Sequence, residues 1–135
     1  MTVLVIDGQG GGLGKQLVAV IKATCPQVQV IAVGTNSIAT NMMLKAGADQ
    51  AATGENAVVV CSKKADIITG PIGIVIADAL LGEISPIMAV AVGQSPAKRV
   101  LVPVNHCSNF IAGVEECSIG KLVQAAVEQI QGLIS

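Results

Sequence analysis

The stretch that decides the fold is Thr2-Val3-Leu4-Val5-Ile6-Asp7, then Gly8-Gln9-Gly10-Gly11-Gly12-Leu13-Gly14-Lys15, then Gln16-Leu17-Val18-Ala19-Val20-Ile21-Lys22. An apolar strand runs into a glycine cluster, and the cluster runs into a helix. Five of the chain's 15 glycines fall within seven positions. Glycine lets the backbone turn sharply and come close to a ligand. The helix start aims unpaired N–H groups and a positive dipole end at the same spot. The pattern predicts an anion site, most simply one for the phosphates of a nucleotide. The competing reading is a tight strand-to-helix turn that needs glycine only for packing. Five glycines and Lys15 at one helix start exceed what such a turn requires.

Outward from this unit, strand and helix patterns alternate. Val28–Val33 reads as a second strand, ending in Gly34-Thr35-Asn36. Ser37 is placed to cap a helix carrying Ile38, Met42 and Met43, with Gly47 as its stop. Asp49–Thr53 reads as a short strand and Glu55–Lys64 as a helix. Asp66–Thr69 is a further strand, which Gly70-Pro71-Ile72-Gly73 turns into a helix over Ile74–Leu81. Asp78 is expected on that helix's solvent or interface face. Ser85-Pro86 reads as a cap followed by proline at the first helical position, giving a helix over Pro86–Gln94. A strand at Ala89-Val90-Ala91-Val92 is the alternative. Arg99–Val104 and Asn109–Val114 read as strands. Ser118 then caps a helix with Ile119, Leu122, Val123, Ala126, Val127, Ile130 and Leu133 on one face. Such alternation implies βαβ crossovers, a mainly parallel sheet and helices on both faces, hence a three-layer α/β domain spanning residues 1–135.

Composition agrees. The chain has 135 residues, enough for one domain with a real core. Apolar residues make up 52% and aromatics 1%, with Phe110 the single aromatic residue. The core must be aliphatic, as in a parallel sheet buried on both faces. Eight basic and nine acidic residues give a net charge of −1. No basic field is present to hold nucleic acid, and stacking platforms are missing. The most apolar region, Ile67–Ala97, is interrupted by Asp78, Glu83 and three prolines, so no membrane helix is expected. The strand follows Met1 at once, with no export signal, and Cys25, Cys61, Cys107 and Cys117 form no C-x-x-C pair. Reduced thiols and a cytoplasmic location are expected. Charged residues are 13% of the chain, and Ile72–Val92 carries only Asp78 and Glu83. A homodimer is therefore expected, with Leu80, Leu81, Ile84, Ile87 and Met88 at a twofold contact.

Ligands of parallel sheets bind beyond the carboxyl ends of the strands. That edge should hold Asp7–Lys15, Gly34–Ser37, Thr69–Gly73 and Val104–Ser108. The cofactor-binding candidates are Asp7, Gly8, Gln9, Gly10, Gly11, Gly12, Leu13, Gly14 and Lys15, with Thr35, Asn36 and Ser37 from the second strand's end, Gly70 and Pro71 from the fourth, and Asn105. Asp7 either braces the loop by accepting backbone N–H bonds, which is favoured, or acts on a ligand hydroxyl or a metal. His106 and Cys107 are adjacent, but neighbours on extended chain point opposite ways, which favours an ordinary surface loop over a nucleophile pair. Cys25 and Cys61 read as small buried hydrophobes, and no metal-ligand spacing is present.

The spacing of Gly8, Gly12 and Gly14 resembles the cofactor loop of the short-chain dehydrogenases, over about the first 20 residues. That resemblance implies a dinucleotide pyrophosphate on the loop, hence NAD or NADP. The family's chemistry uses a Tyr-x-x-x-Lys pair, and this chain has no tyrosine. Gly10-Gly11-Gly12-Leu13-Gly14-Lys15 also resembles the phosphate loop of the ParA/MinD-type ATPases. Here Gln16 replaces the hydroxyl residue that ligates magnesium, and Gly10 replaces their extra lysine. The whole chain resembles a small bacterial family of unknown function with a Rossmann-like fold. The matching segments are Ile6–Gly12, Ala65–Ile74 and Leu101–Asn105, and the resemblance implies that fold and no particular activity. An NAD-binding unit usually carries an acid at the end of its second strand. This chain has Gly34-Thr35-Asn36-Ser37 there, with no Arg, so NAD and NADP stay undistinguished. The expectation is a nucleotide-binding protein with a dinucleotide-type site, its catalysis open. A non-catalytic regulatory or scaffold module that binds a protein partner, and an ATP-binding protein with a degenerate phosphate loop, are the alternatives.

Overall fold

Five strands form one sheet in the order β3-β2-β1-β4-β5, every neighbouring pair parallel. They are β1 (Thr2–Asp7), β2 (Gln29–Gly34), β3 (Gln50–Thr53), β4 (Ile67–Pro71) and β5 (Lys98–Val102). The helices between and after them are α1 (Gly12–Thr24), α2 (Ser37–Lys45), α3 (Glu55–Lys64), α4 (Pro86–Gly93) and α5 (Ile119–Ile134). The structure, a computed structural model, describes residues 1–104 and 108–135. This is the Rossmann-like order, in which the chain winds one way from β1 to β3 and the other way from β4 onward.

Side-chain alternation along β1 builds a core on each face of the sheet. Val3 and Val5 face α1, α2 and α5, where they join Leu17, Ile21, Met43, Val127 and Ile130. Leu4 and Ile6 face the opposite way, into Val58 of α3, Met88 and Val92 of α4, and Ile74 and Ile84. β1 is the middle strand, and Val3 to Ile6 are all fully buried, which is why its sequence is continuously apolar. The reversal of winding places a crevice at the carboxyl ends of β1 and β4.

Several local expectations give way to tertiary demands. Ile74–Leu81 is not a helix. A 3-10 turn covers Ile72–Val75, and the chain then runs through Asp78, Leu80 and Leu81 with φ of 66°, 57° and 56°. Left-handed conformations cost roughly 1–2 kcal/mol each outside glycine. Here they turn Leu80 into the core and leave Leu81 at 96% exposure, so Asp78 sits in a turn rather than on a helix face. A mesh of backbone bonds closes this connection on itself: Asp78 N–H to Ile84 O (2.7 Å), Ile84 N–H to Ala79 O (3.1 Å) and Gly82 N–H to Asp78 O (3.1 Å). Leu80, Ile84 and Met88 are consequently core residues rather than a self-association face, while Ile87 is 58% exposed.

Asn36, not Ser37, caps α2, because Asn36 Oδ1 accepts the Ala39 N–H at 2.9 Å. Ser37 is the first helical residue and is exposed. Gly70 and Pro71 are not a turn. They complete β4, paired with Leu101 and Val102, and both are buried. β5 ends at Val102, two residues short of the expected Val104, and Asn109–Val114 is irregular chain rather than a strand. Pro86–Gly93 is helical, with Ser85 Oγ accepting the Met88 N–H at 3.3 Å, so the strand alternative there falls.

Candidate functional site

The site grows from the end of β1. Asp7 is 5% exposed, and its carboxylate spans the turn into α1: Oδ1 accepts the Gly8 N–H at 2.8 Å and Oδ2 accepts the Gly14 N–H at 2.6 Å. The acid at the strand's end thus satisfies an N–H of the helix's own first turn. A Cβ at Gly14 would lie 2.8 Å from Asp7 Cβ and 2.6 Å from Met43 Sδ, so only glycine lets helix and strand approach this closely. Overfilling of this kind costs about 1–3 kcal/mol. Gly11 caps the helix at φ 74°, with its Cα pressed toward Ala39, where a side chain would meet Ala39 Cα at 2.7 Å.

Asp7 therefore plays the bracing role. Burial pushes its carboxyl pKa up, the bonds from Gly14 and Gly8 pull it down, and the nearby Glu83 charge raises it further; the net direction is up.

With Gly8 and Gly14 committed to Asp7, the remaining loop amides divide. Gly11 N–H bonds Gly8 O at 3.0 Å and Gln9 N–H bonds Glu83 Oε1 at 2.9 Å. The N–H groups of Gly10, Gly12 and Leu13 have no partner among the described residues. They line a cleft of about 240 Å³ bounded by Asp7 to Leu13, Gln16, Leu80, Val104 and Ile119.

Glu83 is the residue that sequence reasoning missed. It arrives from the β4–α4 connection and stands at the end of β2. Its Oε1 accepts from Thr35 Oγ1 (2.5 Å), Asn36 Nδ2 (2.9 Å) and Gln9 N–H (2.9 Å). Asn36 Nδ2 also reaches Gln9 O at 3.0 Å. Burial pushes the Glu83 carboxyl up, but the bonds from Thr35, Gln9 and Asn36 together outweigh it, and the net direction is below the usual value. The one sequence signal was its standing with Asp78 as the sole charges in a long apolar run.

The expected site residues separate accordingly. Asp7 and the loop from Gly8 to Leu13 line the cleft, and Gly14 packs beneath it. Lys15 is exposed on α1 and does not line the cleft. Thr35 and Asn36 are occupied by Glu83, Ser37 is exposed and does not line the cleft, and Gly70 and Pro71 lie in the sheet. A side chain on Gly70 would run into the carbonyl oxygen of Ile6, so its glycine serves strand packing. Asn105, His106 and Cys107 fall outside the described residues. Val104 lines the cleft from the expected edge, whereas Gln16, Leu80 and Ile119 are cleft residues that were not among the cofactor-binding candidates. Among the described residues no group of three or more His, Cys, Asp or Glu could hold a metal ion, and no helix is long and apolar enough to cross a membrane.

Because the folded state lowers the Glu83 pKa, that carboxylate adds stability above its ordinary value of 4.5, and the stability is lost as pH falls through the folded value. Asp7 works the other way: its raised pKa favours the fold at low pH, and that benefit fades as pH rises from 3.8 through the folded value. The melting-temperature advantage of wild type over Glu83→Gln should be largest above pH 4.5 and shrink below it. Thermal melts from about pH 3 to 7 check this, and a difference independent of pH would contradict the assignment.

Comparison with curated proteins finds no match. Among solved structures, a dodecameric FMN-dependent UbiX-like decarboxylase from Escherichia coli O157:H7 is similar, at 16% identity and a TM-score of 0.48, over 99% of this chain and 94% of that one. A likeness at that level says nothing of ligand or assembly here. The model of the family described as Domain of unknown function (DUF3842) matches residues 2–135, and the chain belongs to that family.

Proposed function

We propose that this chain is a nucleotide-binding protein that takes a phosphate group on the free N–H groups of Gly10, Gly12 and Leu13. The observation that carries the reading is that nothing in the fold requires glycine at Gly10 and Gly12. Neither adopts a left-handed φ, and a Cβ on either would meet no atom within 4 Å. Glycine at such positions still loses more backbone freedom on folding than any other residue. Bare backbone facing a cleft instead gives an anion close access to N–H groups and to the positive end of α1. Asp7 supports this by engaging the Gly8 and Gly14 amides from below, which fixes the loop open without occupying the three free donors. NAD and NADP are the dinucleotides that the loop's resemblance suggests, and a single nucleotide presents the same phosphate chemistry to these amides. The alternative of an ATP-binding phosphate loop is weakened by Lys15, which stands outside the cleft.

A thermal-shift panel of NAD, NADP, ATP, GTP, FMN and S-adenosylmethionine tests the reading, since a ligand that binds only the folded state raises its melting temperature. At least one should do so. Gly12→Val should abolish the shift while leaving the apo protein's melting within about the ±0.5 kcal/mol typical of surface changes. A panel without any shift, or a Gly12→Val variant that binds as well as wild type, would overturn it.

We further propose that two copies associate through the outer faces of α3 and α4. A groove of about 400 Å³ runs between Val59 and Lys63 on α3 and Pro86, Ile87 and Val90 on α4, with Gln94 just past the end of α4. Ile87 and Val90 are 58% and 52% exposed. Exposed aliphatic side chains side by side on neighbouring helices suit an isologous contact. Light scattering at micromolar concentration should report a dimer, and Ile87→Lys should dissociate it. A monomeric wild type would contradict this.

A further inference from the structure

The β4–α4 connection does more than border the crevice. In a sheet of this winding, a dinucleotide lies across the crevice with its adenosine ribose at the end of β2 and its pyrophosphate on the glycine loop. Admitting it requires a gap between the end of β2 and the connection after β4. Here those two edges are bonded directly to each other. Glu83 Oε1 takes the Thr35 hydroxyl at 2.5 Å and the Asn36 amide at 2.9 Å, and also the Gln9 N–H on the loop itself at 2.9 Å. Leu80 of the same connection is buried against Gly8, where a Cβ would stand 3.0 Å from Leu80 Cδ1 and 2.6 Å from Thr35 Oγ1. The crevice is shut on its β2 side. The cleft that remains lies toward β5 and α5, walled by Leu13, Leu80, Val104 and Ile119 and floored by the free loop amides. Its volume, about 240 Å³, is below the ~300 Å³ of pockets that enclose a drug-sized ligand, so a nucleotide held there lies partly outside it.

We infer that Glu83 is a specificity-determining residue: by tying the β4–α4 connection to Thr35 and Asn36, it makes the site favour a single nucleoside 5′-phosphate over a dinucleotide. This rests on the nucleotide reading above. The phosphate lies on Gly10, Gly12 and Leu13, and the nucleoside extends over the aliphatic wall of Leu80, Val104 and Ile119. A dinucleotide must first break three hydrogen bonds to a charged acceptor and lift Leu80 off Gly8. The connection resists lifting piecemeal, because its own bonds from Asp78 to Ile84 and from Ile84 to Ala79 make it one compact turn.

Titration calorimetry on the full chain compares each mononucleotide with the dinucleotide that contains it: AMP with NAD, and FMN with FAD, alongside GMP, CMP and UMP. In wild type a mononucleotide should bind about tenfold or more tighter than its dinucleotide, the factor that ~1.4 kcal/mol of differential binding gives. Glu83→Ala should narrow that ratio. Thr35→Ala, which removes one of the three bonds from the other side, should narrow it too, by less, and guards against a Glu83 variant that does not fold. Wild type binding NAD or FAD as tightly as the matching mononucleotide would overturn this inference alone and leave the phosphate site standing. A ratio unmoved in both variants would equally overturn it. Binding of none of the probes would remove the nucleotide reading and this inference together.

Discussion

The carboxylate of Asp7 is the interaction on which the rest depends. It stands at the last position of the central strand and holds two amides six positions apart in the chain, those of Gly8 and Gly14. That span fixes the path of the loop, the start of α1 and the closeness of α1 to β1 in a single contact. Burying a carboxylate is costly, and its raised pKa reports that cost. Removing the acid would orphan the Gly14 N–H in a buried place, at about 1–3 kcal/mol. The loop's open amides follow from this geometry. They are free because the acid has taken the amides on either side of them.

A second carboxylate limits what the first makes available. Glu83 reaches from the β4–α4 connection to the end of β2 and closes the edge where an acid of β2 itself would stand in a dinucleotide-binding sheet. The connection accepts left-handed φ at Asp78, Leu80 and Leu81 to make that reach. The strain is offset by the burial of Leu80 and by three bonds into one carboxylate oxygen. Backbone strain of this kind gathers where a structure positions something for a ligand. Together the two acids leave a short cleft with donors at its floor and aliphatic side chains on its wall.

Much of this was legible in the sequence, and the limits have physical causes. The β1–loop–α1 unit was readable because its signals are local: an apolar run, glycines and a helix period within about 22 positions. The paired burial of Val3 to Ile6 followed from the same run. The helix from Ser118 was readable because its apolar face repeats at helical spacing. Ile74–Leu81 failed because an apolar run cannot tell a helix from a buried irregular turn, and the turn is dictated by contacts with Gly8 and the sheet. Ser37 and Asn36 are both good caps, and which one serves depends on where Gln9 and Glu83 hold Asn36. Glu83 itself stood 48 residues from Thr35 in a region with no motif, so only the folded chain brings the two together.

The measurement that tests the central claim most directly is a backbone-amide NMR titration of the folded protein with inorganic phosphate and then with a nucleoside 5′-phosphate. The Gly10, Gly12 and Leu13 amides should move first and furthest, downfield as they acquire an acceptor. The Gly8 and Gly14 amides, already held by Asp7, should stay nearly still. Shifts centred on Gly8 and Gly14, or on residues remote from the loop, would contradict it.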